Sequence, residues 1–278
     1  MTTLLALLFV LSGAAGLIYE SIWSRYLGLL VGHSAYAQVI VLVIFLGGMS
    51  AGAALAARRS SRVREPLLWY AAVEGIVGVI GLLFHDVFGV ASVLAYDTLF
   101  PALGGGALLL VGKWLLAALL IVPQSVLLGT TFPLMTAGVL RRLGDPAAQL
   151  AGSGQVLGLL YFTNSFGAAV GVLISGFYLI GLAGLPGTLV VAAILNLVVA
   201  LGTFGLVRLE QDDEPATATV ATAGHEAGDG ETAPAPPARV DDARALDAAA
   251  SVAAPGFRSP LARLLLAVAF GTAVASFI

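Results

Sequence analysis

The chain has no cysteine and very little charge. Without cysteine there is no disulfide, no thiol nucleophile and no cysteine-bound metal, and the redox compartment is left open. Only 10% of the 278 residues are Asp, Glu, Lys or Arg, against about 25% in an ordinary soluble domain. There is no basic patch for nucleic acid and no glycine fingerprint for a dinucleotide. No serine or threonine is set in a pattern with histidine that suggests nucleophilic catalysis. Lys113 follows Gly112 as in a phosphate loop, but Gly106 stands six residues before Gly112 where five are needed, and Trp114 replaces Ser or Thr. His33, His85 and Asp86 are the nearest approach to a metal-ligand set, and ordinary surface histidines explain them better. No metal or cofactor is expected. No Lys or Arg precedes the first apolar run, which argues against a cleaved signal peptide.

What is present is apolar. Hydrophobic residues make up 59% of the chain and mean hydropathy is +0.99. Thirty-four glycines suit membrane helices, where small residues let backbones approach closely. A spanning helix needs about 20 apolar residues. The pattern predicts an all-α bundle of six crossing helices at 3–31, 34–57, 67–85, 107–131 (with an extension to 140), 153–181 and 185–207. Residues 86–106 read as a longer connection holding Asp86, Asp97 and Gly104–Gly106, part of it able to form a short helix.

Basic residues set the expected orientation. Arg58, Arg59, Arg62 and Arg64 follow the second helix, Arg141 and Arg142 the fourth, and Arg208 the sixth. With six spans all fall on one side, so the positive-inside rule places the N-terminus in the cytoplasm of a multi-pass inner-membrane protein. Three regions follow: a transmembrane domain over 1–207, an acidic Ala/Pro-rich linker over 208–258, and the start of a seventh helix over 259–278. The linker holds ten of the sixteen acids and almost no bulky apolar residue, a composition that cannot bury enough surface to fold. Residues 264–278 resemble a second copy of 4–18, and the sequence stops before the counterparts of Tyr19 and Glu20. This predicts the first of two parallel halves, with the second cut short inside its first helix.

Several polar residues interrupt the apolar runs. Gly13, Gly16, Glu20 and Ser24 share one face of the first helix. A charge at mid-bilayer costs at least about 2.5 kcal/mol and should face protein or water. Glu20 therefore reads either as a cation- or proton-binding carboxylate lining a cavity or as the partner of Arg25 or Lys113. Glu74 shares a face of the third helix with Gly78, Gly81 and His85. It reads either as reaching the surface or the Arg cluster, or as a substrate ligand. Pro123 and Pro133, with Gln124 between them, mark the fourth helix as a kinked, cavity-lining element. Tyr161 and Asn164 complete the candidate binding set. Gly48 with Gly52, and Gly167 with Gly171, are small-xxx-small pairs suited to helix packing. Asn164 and Asn196 also suit bridges between helices.

The strings LSGAAGLIYESIWSRYLGLLVGHS, VLVIFLGGMSAGAALAARR, VPQSVLLGTTFPLM and YFTNSFGAAVGVLISGFYLIGLAGLPGT together resemble the membrane portion of fused major-facilitator-type/spermidine synthase proteins. The resemblance covers about 1–207 and resumes over 261–278. It implies a soluble polyamine-synthase-like domain of Rossmann type that uses decarboxylated S-adenosylmethionine. No such domain lies in this chain, so none of that family's catalytic residues carries over and no catalytic residue is assigned. Three functions remain: a transporter half for a small cationic solute such as a polyamine, a membrane anchor for an aminopropyltransferase domain, or a gene fragment without independent activity. The implied partners are the lipid bilayer and either the missing half with its synthase-like domain or a second copy of the chain.

Overall fold

In lipid every backbone N–H must find its partner within its own segment, so long apolar stretches become long helices. The computed structural model describes residues 2–32, 34–60, 63–142 and 146–213, and these are helical throughout apart from short turns. The helices are α1 (Thr2–Val31), α2 (Ser34–Ser60), α3 (Pro66–Leu94), α4 (Phe100–Leu103), α5 (Ala107–Arg141), α6 (Pro146–Ile174) and α7 (Ile180–Asp213). Single π-turns at Ala95–Leu99 and Ser175–Leu179 join α3 to α4 and α6 to α7. Five continuous helical runs are long and apolar enough to cross a membrane: Thr3–Leu30, Ala35–Arg59, Pro66–Leu103, Ala107–Arg141 and Ser153–Gln211.

Besides α6 starting at Pro146 where 153 was expected, the boundaries depart from expectation in two places. The stretch 86–106 is no loop: α3 continues through the π-turn into α4 as a 38-residue run. Asp86 and Asp97 are both exposed and stand eleven residues apart, about three turns, so one helix carries both on one side. The helix yields only at Gly104 and Gly106, which both take positive φ. The second departure is at 208–213, assigned from composition to the linker but forming the last turns of α7. Residues 214–258, and the seventh-helix segment 259–278, lie outside the described residues.

The 59-residue run Ser153–Gln211 is far longer than a bilayer needs, and it is broken at Gly184. Gly184 has φ 66° and ψ −173°, a conformation open to glycine, and Pro186 follows. The Thr188 hydroxyl donates to the Gly184 carbonyl at 2.7 Å, filling an acceptor that the break exposes.

Contacts between helices give their directions. Ser12 meets Glu74, Tyr19 meets Gly81 and Tyr26 meets His85, so α1 and α3 run parallel. Tyr36 meets Trp114, Gly48 meets Ser125 and Gly52 meets Gly129, so α2 and α5 run parallel. Gly167 lies on Val10 and Gly171 on Ala14, so α6 runs with α1. Gly75 meets Ala200 and Gly78 meets Ala193 and Leu197, so α7 runs against α3 and therefore against α1. The chain thus turns back at Gly184, near the start of α7, and it is the part of α7 after this break that runs against α1 and α3.

These directions bring the C-terminal ends of α2, α5 and α7 together. The Arg141 guanidinium donates to the carbonyls of Val63 and Arg64, the second at 2.9 Å, tying α5 to the segment before α3. Arg142 forks onto Glu210 of α7, with Nε 2.9 Å and the terminal nitrogen 2.6 Å from Oε2. Arg58, Arg59, Arg141, Arg142 and Arg208 so gather at one end of the bundle.

The core joins α1, α2 and α3 through aromatic rings. Trp23 is fully buried, stacks on Tyr19 at 5.6 Å, and meets Phe45 at 6.0 Å and Phe84 at 5.8 Å. Elsewhere the helices touch backbone to backbone. A Cβ on Gly52 would strike the Val126 carbonyl, one on Gly129 the backbone of Met49, and one on Gly167 the carbonyl of Val10. Backbone cannot step aside as a side chain can, and overpacking costs about 1–3 kcal/mol. Gly52→Leu is therefore expected to lower the melting temperature of the purified protein in detergent. Gly205→Leu, whose Cβ would meet nothing within 4 Å, should leave it unchanged. Equal behaviour of the two variants would contradict this packing.

Candidate functional site

The face of α1 that carries Gly13, Gly16, Glu20 and Ser24 lines two open cavities. One, of about 440 Å³, lies among α1, α2, α5 and α6. Its lining includes Ser12, Gly13, Gly16, Ser50, Pro133, Tyr161 and Asn164. The other, of about 670 Å³, is bounded by Glu20, Ser21, Ser24, Arg25 and Gly28 of α1, Gln38 of α2 and Val172 of α6. Small residues create this space: a Cβ on Gly16 would have nothing within 4 Å, whereas one on Gly13 would hit the Asn164 carbonyl.

Glu20 and Arg25 share the second cavity but make no salt bridge with each other. The ion pair between described residues is Arg142–Glu210, at the basic end. Glu20 is half-buried and faces the open space, while Arg25 is exposed at its edge. Lys113 lies in neither cavity; its ammonium sits 5.4 Å from the centre of the Phe100 ring, near the start of α5. Tyr161 is exposed where it meets the first cavity. The binding candidates therefore divide. Glu20 and Arg25 lie together, Tyr161 and Asn164 lie together on the adjoining surface, and Lys113 stands apart.

Glu74 and Gln124 are placed differently from both. The carboxyl of Glu74 does not reach the surface or the Arg cluster, since the residue is fully buried. Its Oε1 accepts a 2.5 Å hydrogen bond from Ser12 Oγ. The parallel register of α1 and α3 turns that face inward, which sequence position alone does not reveal. Gln124 is also fully buried and donates through Nε2 to the Val77 carbonyl at 3.3 Å. Asn196 is buried with both amide atoms unpartnered.

The helix through Pro123 and Pro133 stays helical along its whole length. The hydroxyls of Ser125, Thr130 and Thr131, all between the two prolines, donate to the carbonyls of Ile121, Leu127 and Leu128. Proline at 133 removes the helical donor to the Gly129 carbonyl, and both residues line the first cavity.

Gly48 rests on the Ser125 side chain, Gly52 on the Val126 backbone, Gly167 on Val10 and Gly171 on Ala14. His33 is outside the described residues. His85 shares a 2.7 Å hydrogen bond with Tyr26, and no group of three metal-ligating residues forms among the described residues. A third, roomier cavity, about 1080 Å³, lies between α3 and α5 and is walled by Val87, Val90, Leu116, Leu119 and other apolar residues. With Asp86 as its lone charge it offers no convergent polar groups, so the polar cavities on α1 are the better site. Sequence reading missed Ser12, Gln38 and the buried tyrosines. Ser12 had a usable signal, one turn before Gly16 on the same helix.

No protein family, curated protein or solved structure matches the chain.

The cavity geometry predicts opposite effects from like substitutions. Gly16→Phe enters open space and should keep the wild-type melting temperature, while Gly13→Phe meets backbone and should lower it. Thermal unfolding of the two purified variants distinguishes them, and destabilisation by Gly16→Phe would contradict an open cavity.

Proposed function

We propose that this chain is the six-crossing leading half of a membrane protein of the fused major-facilitator-type/spermidine synthase kind, and that its α1 cavities take up a small cationic solute such as a polyamine. The observation that carries this is Glu20, a carboxylate inside a membrane-crossing helix, open to a cavity and unpaired with Arg25. An ammonium group would neutralise it there, and Ser21, Ser24 and Gln38 supply further hydrogen bonds. The long Arg25 side chain can extend toward the aqueous boundary and leave the carboxylate to the solute.

The reversal at Gly184 supports a count of six crossings, with Ser153–Gln211 supplying two. The gathering of arginines at one end supports placing that end, with the N-terminus, in the cytoplasm. No residue of α3 or α7 lines either open polar cavity, and a second half or a second copy would complete them by rocking against this one.

Binding of spermidine to the purified chain in lipid nanodiscs tests this reading. Saturable binding weakened roughly ten- to a hundredfold by Glu20→Gln is expected, as for loss of one charged hydrogen bond. Absence of saturable binding by the folded wild type, or indifference to Glu20→Gln, would overturn it and favour the anchor reading.

A further inference from the structure

One ionisable group lies in the membrane region outside both polar cavities. Glu74 is the only acidic or basic side chain among the fully or nearly fully buried described residues. Its Oε1 is held by Ser12, while its Oε2 has no partner. One turn earlier on the same face of α3, the fully buried hydroxyl of Tyr70 lies near both Ser12 and Glu74 without a hydrogen bond of good geometry to either.

The other helices packed on α3 bring no charge to this position. From α1 come Ser12 and Tyr19, whose hydroxyl lies against Gly81; from α5 comes Gln124, bonded to the Val77 carbonyl; α7 packs on this stretch of α3 through Ala193, Leu197 and Ala200, and its buried polar residues Asn196 and Thr203 are uncharged. The charged residues of these helices sit elsewhere. Glu20 and Arg25 are in the cavity, Lys113 is over Phe100, and Arg141, Arg142, Arg208 and Glu210 are at the basic end. His85 is bonded to Tyr26 three turns further along. An ionised carboxylate buried without a cation is costly, whereas a neutral carboxyl can use both its oxygens, one accepting and one donating.

Ser12 supplies the connection to water. It lines the 440 Å³ cavity and its hydroxyl bonds to Glu74 across the α1–α3 interface. We propose that Glu74 is a proton-binding site, loaded and unloaded from the α1 cavity through the Ser12 hydroxyl. In the loading step a hydronium in the cavity gives a proton to Ser12 Oγ, and Ser12 passes its own proton to Oε1. Water is left in the cavity and a neutral carboxyl on α3, so the serine ends unchanged. A following reorientation of the carboxyl places its proton toward the Tyr70 oxygen. The site goes beyond the solute reading and does not need it: a proton stored beside the cavity is one that solute entry can couple to.

Infrared spectroscopy of the full chain in nanodiscs tests it. A neutral-carboxyl C=O band at neutral pH is expected, lost in Glu74→Gln and retained in Glu20→Gln. The band should fade as pH rises, and Ser12→Ala should shift it and slow its response to a pH jump. Should Glu74→Gln fail to fold, the wild type with and without Ser12→Ala still reads the site. No such band at any pH, a band untouched by Glu74→Gln, or a band indifferent to Ser12→Ala would overturn the proposal. Spermidine binding is a separate readout, so either idea can fail alone.

Discussion

Helices already in lipid gain little by hiding apolar side chains from acyl tails, so their association rests on packing density and on polar groups that find one another. In this bundle the density comes from glycine. The α2–α5 contact at Gly52 and Gly129, and the α1–α6 contact at Gly167 and Gly171, bring backbone against backbone with no room for a Cβ. The α1–α6 contact fixes how α1 is rotated, and the rotation decides which of its side chains see space and which see protein.

The consequence is a helix with two faces of different character. On one side Ser12, Tyr19 and Trp23 meet α3 and the aromatic core. On the other, Gly16, Glu20 and Ser24 border open cavities. Ser12 belongs to both, since it lines a cavity and bonds the buried Glu74. The basic end is held differently, by Arg141 on backbone carbonyls and by the exposed Arg142–Glu210 pair. Such exposed pairs contribute at most about 1 kcal/mol, and the buried Leu67, Met135 and Val139 pack beneath them.

Much of this was readable from spacing. Membrane-length apolar helices, the common face of Gly13, Gly16, Glu20 and Ser24, and the arginines that share an end all follow from periodicity and composition. Other features were not legible, for physical reasons. The continuation of α3 through Asp86 and Asp97 was hidden because charged residues read as loop, although one helix face can carry both. Sequence leaves Glu74 between the surface or Arg cluster and a substrate-binding role, because it gives distance along a helix but not which neighbour the helix turns toward. Gln124 shares this fate: a polar residue beside a proline reads as cavity lining, and here it bonds a carbonyl of α3.

The central claim is that the Glu20 face of α1 borders water inside the membrane region while the opposite face is sealed. The chain lacks cysteine, so single cysteines placed one at a time are unambiguous reporters. Substitution at Gly16, Glu20 and Ser24, and separately at Ala15, Ile18 and Ile22, followed by a charged thiol reagent on membranes, measures this directly. The account predicts modification of the first three and protection of the second three. Equal reaction of the two sets, or protection of all six, would contradict it.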